Sequence, residues 1–201
     1  RTAPSGLDGS PTSTSRPLDV SHYPDGRPSS RHTYRHNHWA PAINRYLMVC
    51  ARSVYGTAVN FATVDGFDPV ANLWDAPGTW AGQAGPGSYG TVKDGSGKIY
   101  TPGLSYFNPS SGAWVGLAPS GASAAHVRSP MFYDSLRNTI VCTQWADGFN
   151  SGPAQVNVTR YDIASNLRSA IALVGSGMAQ FSADQPGYAG GDYCPDFDRF
   201  L

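Results

Sequence analysis

The sequence predicts an all-β protein, and three features of its composition support this. Glutamate is absent and lysine occurs only at Lys93 and Lys98, so the main polar helix formers are missing. Glycine and proline, 23 and 16 of 201 residues, are frequent, yet remain below the ~25–30% typical of disordered chains. Aromatic residues form 12% of the chain, which favours a packed core. Helical bundles, coiled coils and doubly wound α/β folds do not fit this composition.

The first region is an irregular arm over residues 1–30. It is rich in Pro, Ser and Gly and has no apolar periodicity, which predicts a linker-like segment. Residues 1–52 carry seven Arg and three Asp, whereas the remainder carries seven basic residues and eleven Asp. We expect the arm to be held by the rest of the chain or by a neighbouring subunit. The arginines form no cluster, so nucleic acid is not an expected partner.

The lengths of the apolar runs and the spacing of the cysteines bear on membrane insertion, zinc binding and disulfide formation. No apolar run approaches the ~18 residues that a membrane helix needs, so no membrane span is expected. The three cysteines, Cys50, Cys142 and Cys194, match no zinc-binding spacing. Buried free thiols are expected, because free cysteine is among the most buried residue types. A disulfide from Cys142 to Cys50 or to Cys194 is the alternative that the sequence leaves open.

From residue 31 onward, two sequence units alternate. One is an aromatic residue, then Asp or Asn, a short turn and often Trp, and it occupies 67–74, 107–114 and 161–168. The other is a polar turn followed by a short apolar strand, and it occupies 43–49, 96–100, 136–141 and 197–201. Both contain turn-forming residues, so each unit predicts a hairpin. Two hairpins in every ~40–55 residues predict one four-stranded sheet per repeat, which is the blade of a β-propeller.

Residues 25–201 resemble the Kelch-type β-propeller family. The segment Asp25–Tyr34 resembles an opening strand, Pro41–Val49 the next hairpin, and Phe67–Trp74 the unit that closes a blade. The chain lacks the Gly-Gly pair that usually ends the second strand, where it has Val49-Cys50-Ala51-Arg52 instead. The resemblance implies about three and a half four-stranded blades over residues 31–201, and hence an incomplete ring. The missing part would come from a longer protein, from another copy of the chain or from the arm, and we expect the first.

A histidine-rich segment offers the one candidate metal site. In an extended strand, His32, Tyr34, His36 and His38 would face one side. His36 and His38 are two residues apart, a spacing that can chelate a metal ion, with a third ligand from His126 or an aspartate. The alternative is that these side chains hydrogen-bond to loops. No cofactor is expected.

Enzymatic chemistry is not favoured by the available residues. A copper oxidase of the galactose oxidase kind needs two His, two Tyr and a Cys cross-linked to a Tyr, and the adjacent Tyr193 and Cys194 do not supply that set. A sialidase-type site needs a Tyr/Glu pair, and Glu is absent. Aspartates occur mostly in predicted turns, such as Asp68, Asp94 and Asp134. We therefore expect no catalytic residue.

The function predicted from these features is a non-catalytic interaction or scaffold module of an extracellular or particle-surface assembly, such as a virion or fibre. Its partners would be a protein, further copies or a glycan. The candidate glycan-binding rings are Trp80, Tyr89 and Trp145, whose alternative role is packing between blades. Asn157 begins a glycosylation sequon. The alternative function is part of a secreted carbohydrate-active or copper-oxidase-like enzyme.

Overall fold

A computed structural model of the chain describes residues 21–23, 25–29, 31–32, 35–50, 52–53, 62–83, 90–103, 105–121, 131–145, 156–172, 193–196 and 198–200. These residues are all-β, with a single turn of 3-10 helix at Pro41–Ile43 among them. The predicted all-β class is therefore confirmed. In chain order the strands are β1 (Arg31–His32), β2 (Asn37–Ala40), β3 (Arg45–Val49), β4 (Arg52–Ser53), β5 (Val64–Asp68), β6 (Leu73–Trp74), β7 (Val92–Lys93), β8 (Ile99–Tyr100), β9 (Ser105–Asn108), β10 (Ala113–Gly116), β11 (Ser120–Gly121), β12 (Met131–Asp134), β13 (Thr139–Trp145), β14 (Val156–Asp162), β15 (Leu167–Ile171), β16 (Tyr193–Cys194) and β17 (Arg199–Phe200).

The strands form three successive antiparallel meanders, which we call sheets 1, 2 and 3. Sheet 1 has the strand order β2-β3-β5-β6, and sheet 2 has the order β7-β8-β9-β10. Sheet 3 has the order β12-β13-β14-β15, with β11 added in parallel beside β15. Strands β16 and β17 pair as a further hairpin. Each four-stranded meander corresponds to one repeat predicted from the sequence.

The histidine-rich segment differs from the sequence prediction. A single strand through residues 32–38 was expected, but β1 and β2 are separate, and residues 35–36 form a turn between them. The two strands diverge because β1 pairs with β4, whereas β2 pairs with β3. His36 lies in this turn, so the prediction that His32, His36 and His38 share one strand face is wrong, and Tyr34 lies outside the described residues.

The predicted hairpins recur with the same backbone geometry. In the turn between first and second strands, and in the β16–β17 turn, one residue has a positive φ: Asn44, Gly97, Asn138 and Asp198. The turn between third and fourth strands repeats this at Asn72, Gly112 and Asn166. Gly, Asn and Asp tolerate the left-handed region better than other residues. The turn chemistry in the sequence therefore sets both hairpins of each sheet.

Aspartate and asparagine side chains hold the same turns. Asp68 Oδ1 accepts hydrogen bonds from the backbone N–H groups of Val70 and Ala71, at 2.8 and 3.0 Å. Asp134 Oδ1 does the same for Leu136 and Arg137, at 3.0 and 3.1 Å. Such bonds compete with sheet pairing and stop the strand. The predicted structural role of the turn aspartates is confirmed at these positions.

The aromatic residues of the repeat meet across the third and fourth strands. Phe67 lies opposite Trp74 with ring centroids 5.3 Å apart, and Phe107 lies opposite Trp114 at 5.5 Å. In sheet 3 the corresponding pair is Tyr161 and Arg168. Cross-strand aromatic pairs stabilise a sheet beyond their buried area. The sequence repeat is thus a structural one.

Two apolar cores lie between successive sheets. The first joins sheets 1 and 2 and includes Ala40, Leu47, Val49, Cys50, Val64, Ile99 and Phe107. The second joins sheets 2 and 3 and includes Tyr100, Met131, Ile140, Cys142 and Tyr161. Burial of these side chains is the main stabilising term of the fold. The sheets therefore stack face to face in chain order.

The end of the arm docks on sheet 1. Within the described residues 21–23 and 25–29, a bridge joins His22 to Pro28. His22 Nε2 lies 2.6 Å from Oδ1 of Asp65, a buried residue of β5. Thr63 Oγ1 donates to the other oxygen of Asp65 at 2.9 Å. The rest of the chain thus holds this part of the arm, one of the two holders expected from the sequence.

All three cysteines are free thiols. Cys50 and Cys142 are buried, and Cys194 is half-buried. The expectation of buried free thiols is confirmed for the first two, and neither candidate disulfide is present. Desolvation by burial raises the pKa of the Cys142 thiol to about 12.

Thiol labelling should separate these cysteines. We expect iodoacetamide at pH 8 to modify Cys194 in the folded protein while Cys142 reacts roughly 100-fold more slowly, because the thiolate is the nucleophile and Cys142 is buried and protonated. Peptide mapping by mass spectrometry measures both rates. Labelling in guanidinium chloride is the control, where the two rates should converge. Equal rates in the folded state would contradict the placement of Cys142.

Among the residues described, no helix has the length and apolar character to cross a membrane.

Candidate functional site

The first strands of the three sheets meet along one line, which we call the first-strand edge (Arg35, His38, Thr91, Lys93 and Met131). The Thr91 backbone N–H donates to the Arg35 carbonyl at 3.1 Å. Lys93 Nζ donates to the Trp39 carbonyl at 2.7 Å, which ties β7 to β2. Arg35 Nη1 donates to the Met131 carbonyl at 3.3 Å and reaches β12. Polar side chains thus link all three sheets along this edge.

His38 is held in one tautomer by Thr91. The Thr91 hydroxyl donates its proton to the Arg35 carbonyl at 2.9 Å. It must therefore accept at its 2.6 Å contact with His38 Nε2, so the His38 proton lies on Nε2. A neutral imidazole with this tautomer carries its lone pair on Nδ1. The bond network thus fixes both the ring orientation and the proton position of His38.

The environment of His38 opposes its protonation. Burial has the largest effect, and electrostatic interactions with Lys93 and with His36 add to it, so the pKa of His38 falls from 6.5 to about 3. His38 is therefore neutral at physiological pH. The cations at this edge come from Arg35 and Lys93 instead. The edge is a positively charged polar seam in which each of these cations donates to a backbone carbonyl.

Acid should destabilise the protein partly through His38. A depressed pKa means that the unfolded chain binds this proton more readily, so stability is lost as the pH falls from 6.5 towards 3. The expected contribution is at most about 1.4 kcal/mol per pH unit within that window. Urea unfolding between pH 7 and pH 4 measures it. His38→Gln, which can still donate to Thr91, should show the shallower decline, and identical slopes would contradict the burial of His38.

His36 lies apart from His38 in its hydrogen bonding. It is fully buried, and its Nδ1 donates to the Val49 carbonyl at 2.6 Å. Its ring therefore connects the turn before β2 to the end of β3. Within the part of the chain that the structure describes, no three metal-binding side chains come together, and His126 lies outside that part. The loop-bonding alternative fits His36, and metal binding by His36 and His38 stays a prediction.

Trp80 lies between sheets 1 and 2. Its ring packs edge-on to Phe107 with centroids 6.3 Å apart and adjoins the first core. Its Nε1 donates to Asp75 Oδ2 at 2.8 Å, and Arg45 Nε donates to the same carboxylate at 3.1 and 3.2 Å. The indole crosses directly over Gly66. These contacts favour the packing role over the glycan-binding role for Trp80.

The other predicted ligand and modification residues are only partly placed. Tyr89 lies outside the described residues. Trp145 is the last residue of β13 and pairs with Val156 at the end of sheet 3, but its side chain is not among the described parts of the structure. Asn157 pairs with Gln144 within β14. Glycan binding by Tyr89 and Trp145 therefore stays a prediction, and for Trp145 the structure gives only the backbone position at the end of β13.

Sequence reasoning missed the partners of His38 and of His22. Thr91 is 53 residues from His38, and Asp65 is 43 residues from His22. No local motif connects residues so far apart. The one available signal was the position of Thr91 and Lys93 just before the Gly-Lys turn of the second repeat, which places them on a first strand.

The sequence matches no protein-family model, and no curated protein is similar to it at a significant level.

Proposed function

We propose that the chain is a Kelch-like β-propeller module that binds a partner and does not catalyse a reaction. The observation that carries this proposal is the succession of three four-stranded meanders stacked in chain order, with the β16–β17 hairpin beside the third. A propeller is built from such meanders, arranged radially with their first strands at the centre. The first-strand edge, where β2, β7 and β12 meet, is the expected consequence of that arrangement.

The bonding of the titratable groups supports binding rather than catalysis. Asp94 and Asp134 are buried, and each accepts backbone hydrogen bonds within its own turn. His38 is neutral and donates to Thr91, and the Cys142 thiol is buried and protonated. A catalytic acid, base or nucleophile needs access to its substrate and a suitable pKa. These groups instead perform structural work.

An extracellular or particle-surface assembly is the setting that we propose. Charged residues form only 14% of the chain, and turns rich in Gly, Asn and Ser connect the strands. The bond of His22 to Asp65 supports an arm with a structural role in assembly. The proposed partner is a protein, further copies of the chain or a glycan.

Copper loading separates this proposal from the oxidase alternative. We expect isothermal titration of the full chain with copper(II) to show no stoichiometric uptake, and a peroxidase-coupled assay with galactose to detect no hydrogen peroxide. His38→Ala is the matched variant, because it removes one of the two candidate ligands. Stoichiometric uptake that His38→Ala abolishes, accompanied by peroxide, would contradict the proposal.

A glycan array tests the sugar-binding form of the proposal. If a glycan is the ligand, Trp145→Ala should weaken its binding by about tenfold or more, since Trp residues dominate binding sites. Val70→Ala is the control, because Val70 is exposed in a turn of sheet 1, whereas Trp145 belongs to sheet 3. Binding that is indifferent to Trp145→Ala would remove Trp145 from the site.

A further inference from the structure

Sheets 1 and 3 differ in the residues that meet where the second strand begins and the third strand ends. In sheet 1, β3 begins with Arg45 and β5 ends with Asp68, and Arg45 Nη1 lies 3.0 Å from Asp68 Oδ2. In sheet 3, β13 begins with Thr139, which lies opposite Asp162 at the end of β14. Sheet 3 therefore has a neutral hydroxyl at the place where sheet 1 has the cation that pairs with its aspartate.

A second aspartate lies on the other side of Thr139. Asp134, the last residue of β12, lies opposite Thr139 on that neighbouring strand, as Asp162 does on β14. Residues opposite one another on neighbouring strands share one face of a sheet, and such strands are about 4.8 Å apart. Asp134 and Thr139 are 3% and 2% exposed, and Asp162 is half-buried. Two carboxylates thus flank one buried hydroxyl on a single face of sheet 3.

The Thr139 hydroxyl has no hydrogen-bond partner among the described residues. Its Oγ1 is buried, and no group in that part of the chain donates to it or accepts from it. A buried polar group is costly unless something binds it, so such a group calls for an occupant. Because the hydroxyl lies between two carboxylates, electrostatics favours a cation as that occupant.

Both carboxylates keep lone pairs for such a cation. Asp134 Oδ1 accepts from the backbone N–H groups of Leu136 and Arg137, and its Oδ2 accepts from Arg137 Nη1 at 2.8 Å. Asp162 Oδ1 accepts both the backbone N–H and the hydroxyl of Ser165, each at 2.8 Å, and Oδ2 takes part in neither bond. An ionised carboxylate offers about four lone-pair sites. Each aspartate can therefore hold its turn and contact a cation at the same time.

We infer that Asp134, Thr139 and Asp162 form a binding site for a calcium ion. Calcium takes about six to eight oxygen ligands in flexible geometry, including carboxylates, carbonyl groups and water. Among the described residues no third acidic, histidine or cysteine side chain joins this pair of aspartates, so carbonyl groups and water would complete the shell. Magnesium requires a more rigid octahedron, so these ligands suit it less well. All three residues belong to sheet 3, and the inference therefore does not depend on the proposed propeller.

Nearby arginines limit the affinity that we expect. Arg137 bonds to Asp134 and also, at 2.6 Å, to Asp198 in the β16–β17 turn. Arg160 is exposed two residues before Asp162, and strand alternation places it on the same face of the sheet. These positive charges offset part of the attraction of the two carboxylates for a cation. We therefore expect a dissociation constant of roughly 0.1–1 mM, the range of extracellular calcium-binding modules.

Calorimetric titration of the full chain with calcium chloride, at constant ionic strength, tests this inference. We expect one ion per chain. Thr139→Val keeps the shape of the side chain but removes the hydroxyl, and it should weaken binding by about tenfold or more; Asp162→Asn should also weaken it. Thr159→Val is the matched control, because Thr159 also has a buried hydroxyl without a partner among the described residues. It lies three residues before Asp162 on β14, hence on the opposite face of sheet 3, so calcium binding should persist.

Thermal unfolding gives a second measurement and shows whether the variants fold. Calcium chloride at 10 mM should raise the Tm of the unaltered chain and of Thr159→Val by about 3 °C or more, and that of Thr139→Val by less than about 1 °C. Three results would overturn the inference: no calcium uptake at 10 mM, uptake that Thr139→Val leaves unchanged, or uptake that Thr159→Val weakens as much as Thr139→Val does.

Discussion

Replacement of Phe107 by alanine is expected to lower the free energy of unfolding by about 3–5 kcal/mol, the range for large aromatic truncations in cores. Phe107 is 0% exposed and lies in the core between sheets 1 and 2. Its ring contacts Trp80 edge-on at 6.3 Å and Trp114 at 5.5 Å, so truncation would leave a cavity beneath both indoles. The loss combines reduced burial with the cost of that cavity.

Urea unfolding followed by tryptophan fluorescence measures this effect. Phe107→Leu should recover about half of the loss, since it keeps most of the buried volume. Val70→Ala is the surface control and should change stability by less than about 0.5 kcal/mol. If Phe107→Ala lowers the free energy of unfolding by less than about 1 kcal/mol, the face of sheet 2 that carries Ile99 and Phe107 does not pack on sheet 1.

Replacement of Gly66 by alanine is expected to cost about 2–3 kcal/mol, because a side chain there would overlap two partners of a buried hydrogen bond. An added Cβ would clash with Asp75 Oδ2 and lie 2.6 Å from Trp80 Nε1. The Trp80–Asp75 bond would therefore have to break or move. Because Arg45 also bonds to Asp75, the disturbance would extend to the start of β3, where Arg45 lies.

Gly116→Ala is the matched control for this substitution. Gly116 also lies in a strand, and a Cβ at that position would meet nothing within 4 Å. Thermal unfolding compares the two variants, and the indole N–H signal of Trp80 in NMR spectra reports the bond directly. Equal stability of the two variants, with an unshifted indole signal, would show that the Trp80 ring does not cross Gly66.

Local sequence signals predicted the strands and turns well. The units Phe67–Trp74 and Phe107–Trp114 form cross-strand pairs around turns, because Asp, Asn and Gly favour the required backbone conformations. Arg168 follows the same pattern in sheet 3 although it replaces Trp there. Features encoded within about eight residues were therefore readable without the structure.

Longer-range features were not readable in this way. The prediction of one strand through His36 and His38 was wrong. The strands β1 and β2 are separate because they pair with different strands later in the chain, β1 with β4 and β2 with β3. The role of Thr91 at the first-strand edge likewise depends on how sheet 2 packs beside sheet 1. The packing of Trp80 was one of two alternatives in the sequence, and its bond to Asp75 now favours one of them.

The central claim is that the sheets stack in chain order. The face of sheet 2 that carries Ile99 and Phe107 packs on sheet 1, and the face of sheet 3 that carries Ile140 and Tyr161 packs on sheet 2. Nuclear Overhauser effects in a methyl-labelled sample test this most directly. The stacking predicts cross-peaks from Ile99 methyl groups to those of Leu47, Val49 or Val64, and from the Ile140 methyl groups to the Tyr100 ring. Cross-peaks confined to partners within one sheet, with none between sheets, would contradict the account.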